Sequence, residues 1–184
     1  MKPVQRDELV DWVTFSEQRP HRIAGMMLAK AKRRIHLGEW LTFLFENRDS
    51  VRWQVQEMLR IERIVREADI RHELDTYNEL LGAAGELGAT LLIEIDDPAL
   101  REEFLPRWLG LPARIYLRVA GGAQVFARFD ERQQDERRVS TVQYLKFALA
   151  GRAPIAIGTD FPELAGEVAF TAEQRAALEE DLRS

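Results

Sequence analysis

Apolar and polar positions recur with readable periods along most of this chain. Residues 41–46, LTFLFE, set Leu41, Phe43 and Phe45 against Thr42, Leu44 and Glu46, which predicts a strand with one apolar face. From residue 51 the period lengthens. At about 100° per residue, Val51, Val55, Met58, Leu59, Ile61 and Val65 fall on one stripe. That predicts a helix running to about residue 67, capped by Asp49 or Ser50. Upstream, residues 6–17 read as a first helix with Leu9, Trp12, Val13 and Ser16 on one side. Pro20 is expected to break it, with a second helix over 21–34 and a turn at Gly38.

The later pattern is more mixed. Asp69 can cap a helix over 70–82, whose Ile70, Leu74, Tyr77 and Leu81 share a face. Gly82, Gly85 and Gly88 are expected in a loop before a strand at 89–95. Asp97-Pro98 is a helix start, and that helix should end near Gly110. Segments 114–120 and 123–129 read as a hairpin with a two-residue turn, Gly121-Gly122, and Arg118 beside Val125. The charged stretch 130–138 is expected to be a linker or an exposed helical turn, and 140–149 a helix or a strand. PIAIGTDFPEL reads as a strand and turn, and Thr171 with Gln174 as the capping box of a last helix. Strands and helices do not alternate regularly. The expected fold is therefore α+β, a single domain over 1–184 with a mainly antiparallel sheet and several packed helices.

Composition narrows the chemistry. The chain has 184 residues and 46% hydrophobic content, enough for a sizeable core. It has no cysteine, which excludes disulfides, thiolate nucleophiles and cysteine-held metals or clusters. A net charge of -5 argues against general nucleic-acid binding, although KAKRRIH at 30–36 is locally basic. No apolar run approaches a membrane span, and the acidic start lacks a secretory core, so the cytoplasm is the expected location. Neither G-x-x-x-x-G-K-[ST] nor G-x-G-x-x-G occurs. His21, His36 and His72 have only weak ligand spacings, in Glu17-x-x-x-His21 and Asp69-x-x-His72. No metal and no cofactor are expected.

Glu62 is the most informative charge. It projects from the centre of the 51–65 stripe, where an unpaired carboxylate would cost several kcal/mol. Lys30 and Arg34 share a stripe with Ile23 and Met27, so they are its expected partners. A buried structural ion pair is the plainer reading. The sharper one is a charged cleft of Lys30, Arg34, Glu46, Arg48, Glu57 and Glu62 that holds a small anion or positions a proton. Turn and capping chemistry accounts equally for Glu46, Asn47 and Arg48 at a strand-to-helix junction, and Glu57 with Arg60 is an ordinary (i, i+3) pair. Trp53 and Ile64 lie off the stripe. With Arg60 they form a candidate contact surface for a partner, unless Trp53 packs under a neighbouring element.

The segments KAKRRIHLG, LTFLFENRDSVRWQVQEMLRIERI, YNELL, GELGATLLIEI and VSTVQYLKF resemble an uncharacterised bacterial family, domain of unknown function 3501. The resemblance covers most of the chain and is densest over 30–95. It implies no activity or site. It does imply proximity to rubrerythrin and iron–sulfur oxidoreductase subunits, hence a protein partner in redox or peroxide-stress metabolism. The expected function is that of an accessory or binding protein without a redox centre of its own. The alternative is a small-molecule or metal-dependent enzyme that uses the charged cleft.

Overall fold

The computed structural model describes residues 1–130 and 136–184. Most of the 130–138 stretch read as a linker therefore lies outside the described residues. Two antiparallel sheets carry the fold. One has the order β1 (Arg34–Leu37), β2 (Leu41–Glu46), β3 (Glu86–Ile93), β7 (Val142–Ala148), β6 (Arg128–Phe129). The other has the order β5 (Gln124–Phe126), β4 (Ile115–Val119), β8 (Pro154–Thr159), β9 (Gly166–Ala169). Together with the five α-helices among the described residues they make an α+β protein with antiparallel sheets.

The core forms where the inner faces of the sheets meet. Leu41, Phe43 and Phe45 from β2, Leu87 and Leu91 from β3, and Leu145 and Phe147 from β7 pack with Ile115 and Leu117 of β4 and Ile157 of β8. The alternation read in 41–46 is thus the inner face. Thr42, Leu44 and Glu46 are buried as well. Val51, Val55 and Leu59 of α2 (Arg48–Ile61) make a second cluster with Ile70 and Leu74 of α3 (Glu67–Asn78).

Several expected boundaries move. One helix, α1 (Trp12–Ala31), replaces the two expected around Pro20, and only a short 3-10 turn occupies Arg6–Glu8. A proline inside a helix costs about 3 kcal/mol in isolation. Here packing on both sides of it overrides that cost. Before Pro20, the Phe15 ring meets Trp53 edge-to-face, 5.2 Å away. After it, Arg33 donates back to the Ala29 carbonyl at 3.1 Å. Since α1 stops at Ala31, Arg34 belongs to β1 and never shares a helix face with Lys30. Met27 is 61% exposed, so the stripe read there does not face the core.

The long helix is also shorter than its apolar pattern. It ends at Ile61, with Glu62 as C-cap and Arg63 in the left-handed region at φ 51. Ile64 N–H then bonds the Leu59 carbonyl at 3.0 Å, which completes a Schellman turn. This turn carries Ile64 onto the second cluster and sends Glu62 into solvent. Ile61 and Val65 are 62% and 72% exposed.

The glycine hairpin is present with its register one residue away from the expected one. Leu117 faces Val125, and Arg118 faces Gln124. Ala120, Gly121 and Gly122 make a three-residue loop, closed by Gly122 N–H to the Val119 carbonyl at 3.0 Å and supported by positive φ at both glycines. The strand then changes sheets, with β5 paired to β4 and β6 to β7. Gly88 lies inside β3 rather than in a loop. Segment 142–148 is a strand, and Asp97, Thr171 and Gln174 cap the helices expected of them.

Candidate functional site

Helix α1 presents Phe15, Gln18, Arg22 and Ala29 at helical spacing toward α2, which answers with Asp49, Arg52, Trp53 and Gln56. A groove of about 720 Å³ lies between them. Its floor is the Phe15–Trp53 pair. Gln56 closes one end by gripping the Val10 backbone, accepting from its N–H at 2.8 Å and donating to its carbonyl at 3.0 Å. Charges of both sign rim the groove. Arg52 pairs with Asp49 at 2.9 Å, and Glu8, which also lines it, pairs with Arg48. Gln18 Oε1 is buried and has no hydrogen-bond partner among the described residues.

None of the six residues expected to form a charged cleft lines this groove. Glu62 is exposed and makes no ion pair with Lys30 or Arg34 among the described residues. Lys30 is half-buried on α1, and Arg34 offers only its carbonyl, to Gln174 Nε2 at 3.3 Å. Glu46 is buried at the end of β2, where it accepts from Ser50 Oγ at 2.6 Å and Thr90 Oγ1 at 2.9 Å. Arg48 ties the N-terminal segment to α2 through Glu8.

Glu57 is clamped between Arg19 at 2.6 Å and Arg60 at 2.7 Å. Burial alone would raise its pKa, but hydrogen bonds and charge from the two arginines outweigh that and lower it. A carboxylate with a lowered folded pKa contributes stability above its unfolded pKa and loses it as pH falls through the folded value. The window therefore begins near the ordinary glutamate value of about 4.3 and extends downward. Glu57→Gln should flatten the acid side of the stability curve. Urea midpoints measured from about pH 6 down to 3 check this, and an acid slope equal to the wild type's would refute it.

The buried ion pair expected at Glu62 lies elsewhere. Arg33 Nε and Nη2 bind Asp181 at 2.7 and 2.9 Å, and Asn47 Nδ2 adds a third donor at 3.3 Å. Sequence reading missed it, because the partners are 148 residues apart and no local pattern links them. Of the expected contact surface, Trp53 packs on Phe15, Arg60 is bound to Glu57, and Ile64 joins the second cluster. His21 lines the groove, His36 Nδ1 meets Thr42 Oγ1 at 2.8 Å, and His72 is exposed. Among the described residues, no group of three or more His, Asp or Glu is placed to hold a metal ion. Among them, too, no helix is long and apolar enough to cross a membrane.

The fold and groove define an α+β protein with two packed antiparallel sheets and an open cleft between its first two helices. The chain belongs to the family described as protein of unknown function, DUF3501, whose profile matches residues 3–182. It is similar to a solved structure from Burkholderia pseudomallei K96243, described as a novel protein of unknown function. The two share 32% identity over 98% of this chain and 100% of that one, with a TM-score of 0.90. No curated protein matches the chain at a significant level.

Proposed function

We propose that this protein is a binding or accessory protein whose α1–α2 groove receives an amphipathic helix of a partner protein. The shape of the groove carries the reading. Its long wall runs from Phe15 to Ala29 on one helix, about 21 Å at 1.5 Å per residue, which suits a partner helix of about four turns. Trp53 and Met26 offer apolar anchoring above the buried Phe15, while Arg22, Arg52, Glu8 and Asp49 give charges of both sign for register. None of the six residues of the alternative charged cleft lines this groove. Redox-stress enzymes, the neighbours implied by the family resemblance, are the first partners to test.

Gly25 gives a clean test. It lines the groove, and a side chain added there meets nothing within 4 Å. A photo-crosslinker placed at Arg52 should capture a partner, and the mapped contact should be a helical segment. Gly25→Trp, which fills the groove, should then weaken binding of that purified partner by about 30-fold, as loss of a 2 kcal/mol hot spot does. Unchanged affinity in Gly25→Trp, with the fold intact, would reject the groove as the docking site.

A further inference from the structure

A second cavity, of about 630 Å³, lies on the outer face of the five-stranded sheet, under the end of α3. Lys146 of β7 stands within it. Lysine is scarce in this chain: Lys2, Lys30, Lys32 and Lys146 are the only four among its 26 basic residues. Lys2 and Lys32 are exposed and Lys30 is half-buried on a helix. Lys146 differs from them because its amine is turned inward, donating to the Leu81 carbonyl. Gly88 makes this approach possible, since it pairs with Lys146 across the sheet and lets the Leu80–Gly82 turn lie directly on the strand.

Among the described residues, the charges around the amine leave it without an ion pair. Glu86, from β3, is engaged by Arg128 of β6. Among the described residues no carboxylate reaches ion-pair distance of Lys146 Nζ. Burial pushes its pKa down, and the charges of Glu86 and Glu79 only partly restore it against Arg128. Asp130 and the hydroxyls of Tyr77 and Tyr144 are the other titratable groups on the walls. Burial raises the Tyr144 pKa, so its hydroxyl keeps its proton. Leu80 and Leu81 add apolar lining.

We infer that Lys146 is a nucleophilic amine that captures an aldehyde with an aromatic or apolar body as an imine in this cavity. Once the ammonium has shed a proton, the Nζ lone pair attacks the carbonyl carbon, and the carbonyl oxygen takes up a proton to give a carbinolamine. The oxygen then leaves as water with both amine protons, and a C=N bond remains. No oxidant or reductant is consumed. The hydrogen bond to the Leu81 carbonyl orients the amine within the cavity, whose lining includes Tyr77 and Tyr144.

The test uses the full chain, benzaldehyde as probe and sodium cyanoborohydride to reduce and trap any imine near neutral pH. Peptide mass spectrometry locates the benzylated amines. The comparison is among lysines, because the α-amino group is acidic enough to react in any protein. Lys146 should be labelled faster than Lys2, Lys30 or Lys32, because a lowered pKa leaves more free amine near neutral pH. Lys146→Arg, which keeps a donor for Leu81, should lose that adduct and retain the others. Labelling of Lys146 no faster than the surface lysines, or its absence while they react, would overturn the proposal and leave the amine as a cap on the turn.

Discussion

Asp181→Ala should destabilise the fold by about 3–5 kcal/mol, because it leaves the Arg33 guanidinium buried without its counter-charge. The side chains of Arg33 and Asp181 are only 9% and 5% exposed, so water cannot replace the lost partner. Burial alone would lower the Arg33 pKa. The hydrogen bonds and charge of Asp181 more than offset that and raise it, so the cation stays charged in the fold. The same carboxylate joins three elements: it sits on α5 (Ala172–Arg183), binds Arg33 just beyond the C-cap of α1, and receives Asn47, the N-cap of α2. Urea unfolding at neutral pH measures the loss. The double variant Arg33→Met/Asp181→Leu should lose less than Asp181→Ala alone, since an apolar pair strands no charge. A single-variant loss under about 1 kcal/mol would show that the pair is dispensable.

The parts of this structure legible in the sequence are those set by neighbours a few residues apart. Asp97 accepts from Ala99 N–H at 2.8 Å, and Thr171 and Gln174 cap α5 reciprocally, as their spacing implies. The alternation in 41–46 fixes which side of β2 enters the inner core. The parts that were not legible depend on tertiary contact or on how a helix ends. Glu62 lies on the apolar stripe by angle alone. A Schellman turn at Arg63 substitutes Ile64 for it, and arginine in the left-handed region gives no advance signal as glycine would. Pro20 reads as a breaker until Phe15 and Arg33 anchor the helix on either side of it. The expected buried cation is Lys30 or Arg34 paired with Glu62, and neither forms that pair among the described residues. Which of the four cations in 30–34 turns inward depends on where α1 stops, and the answer is Arg33 rather than Lys30 or Arg34. The groove followed the same logic. Trp53 stood out as off the stripe, but the α1 face opposite it became visible only once α1 was seen to run unbroken past Pro20.

Gly88→Ala should cost roughly 3 kcal/mol or more, an overpacking penalty at the upper end of the usual range. Gly88 sits mid-strand in β3, paired with Glu46 on one side and Lys146 on the other. A β-carbon there would collide with the Leu80 carbonyl oxygen, well inside the 3.0 Å that real Cβ atoms keep, and would lie 3.1 Å from the Leu80 carbonyl carbon. The obstacle is backbone, so no rotamer change relieves it. The turn cannot simply lift, because Gly82 on its far side is packed as tightly against the Glu86 carbonyl, and the Lys146 amine binds the carbonyl between them. Gly25→Ala supplies the contrast. Its new methyl meets nothing within 4 Å, and alanine favours a helix interior by about 0.8–1.0 kcal/mol, so that variant should gain stability. The two substitutions make the same chemical change with opposite expected sign. Thermal unfolding of both separates a steric requirement at Gly88 from a general dependence on glycine, and a Gly88→Ala melting temperature equal to the wild type's would show that the turn does not press on β3.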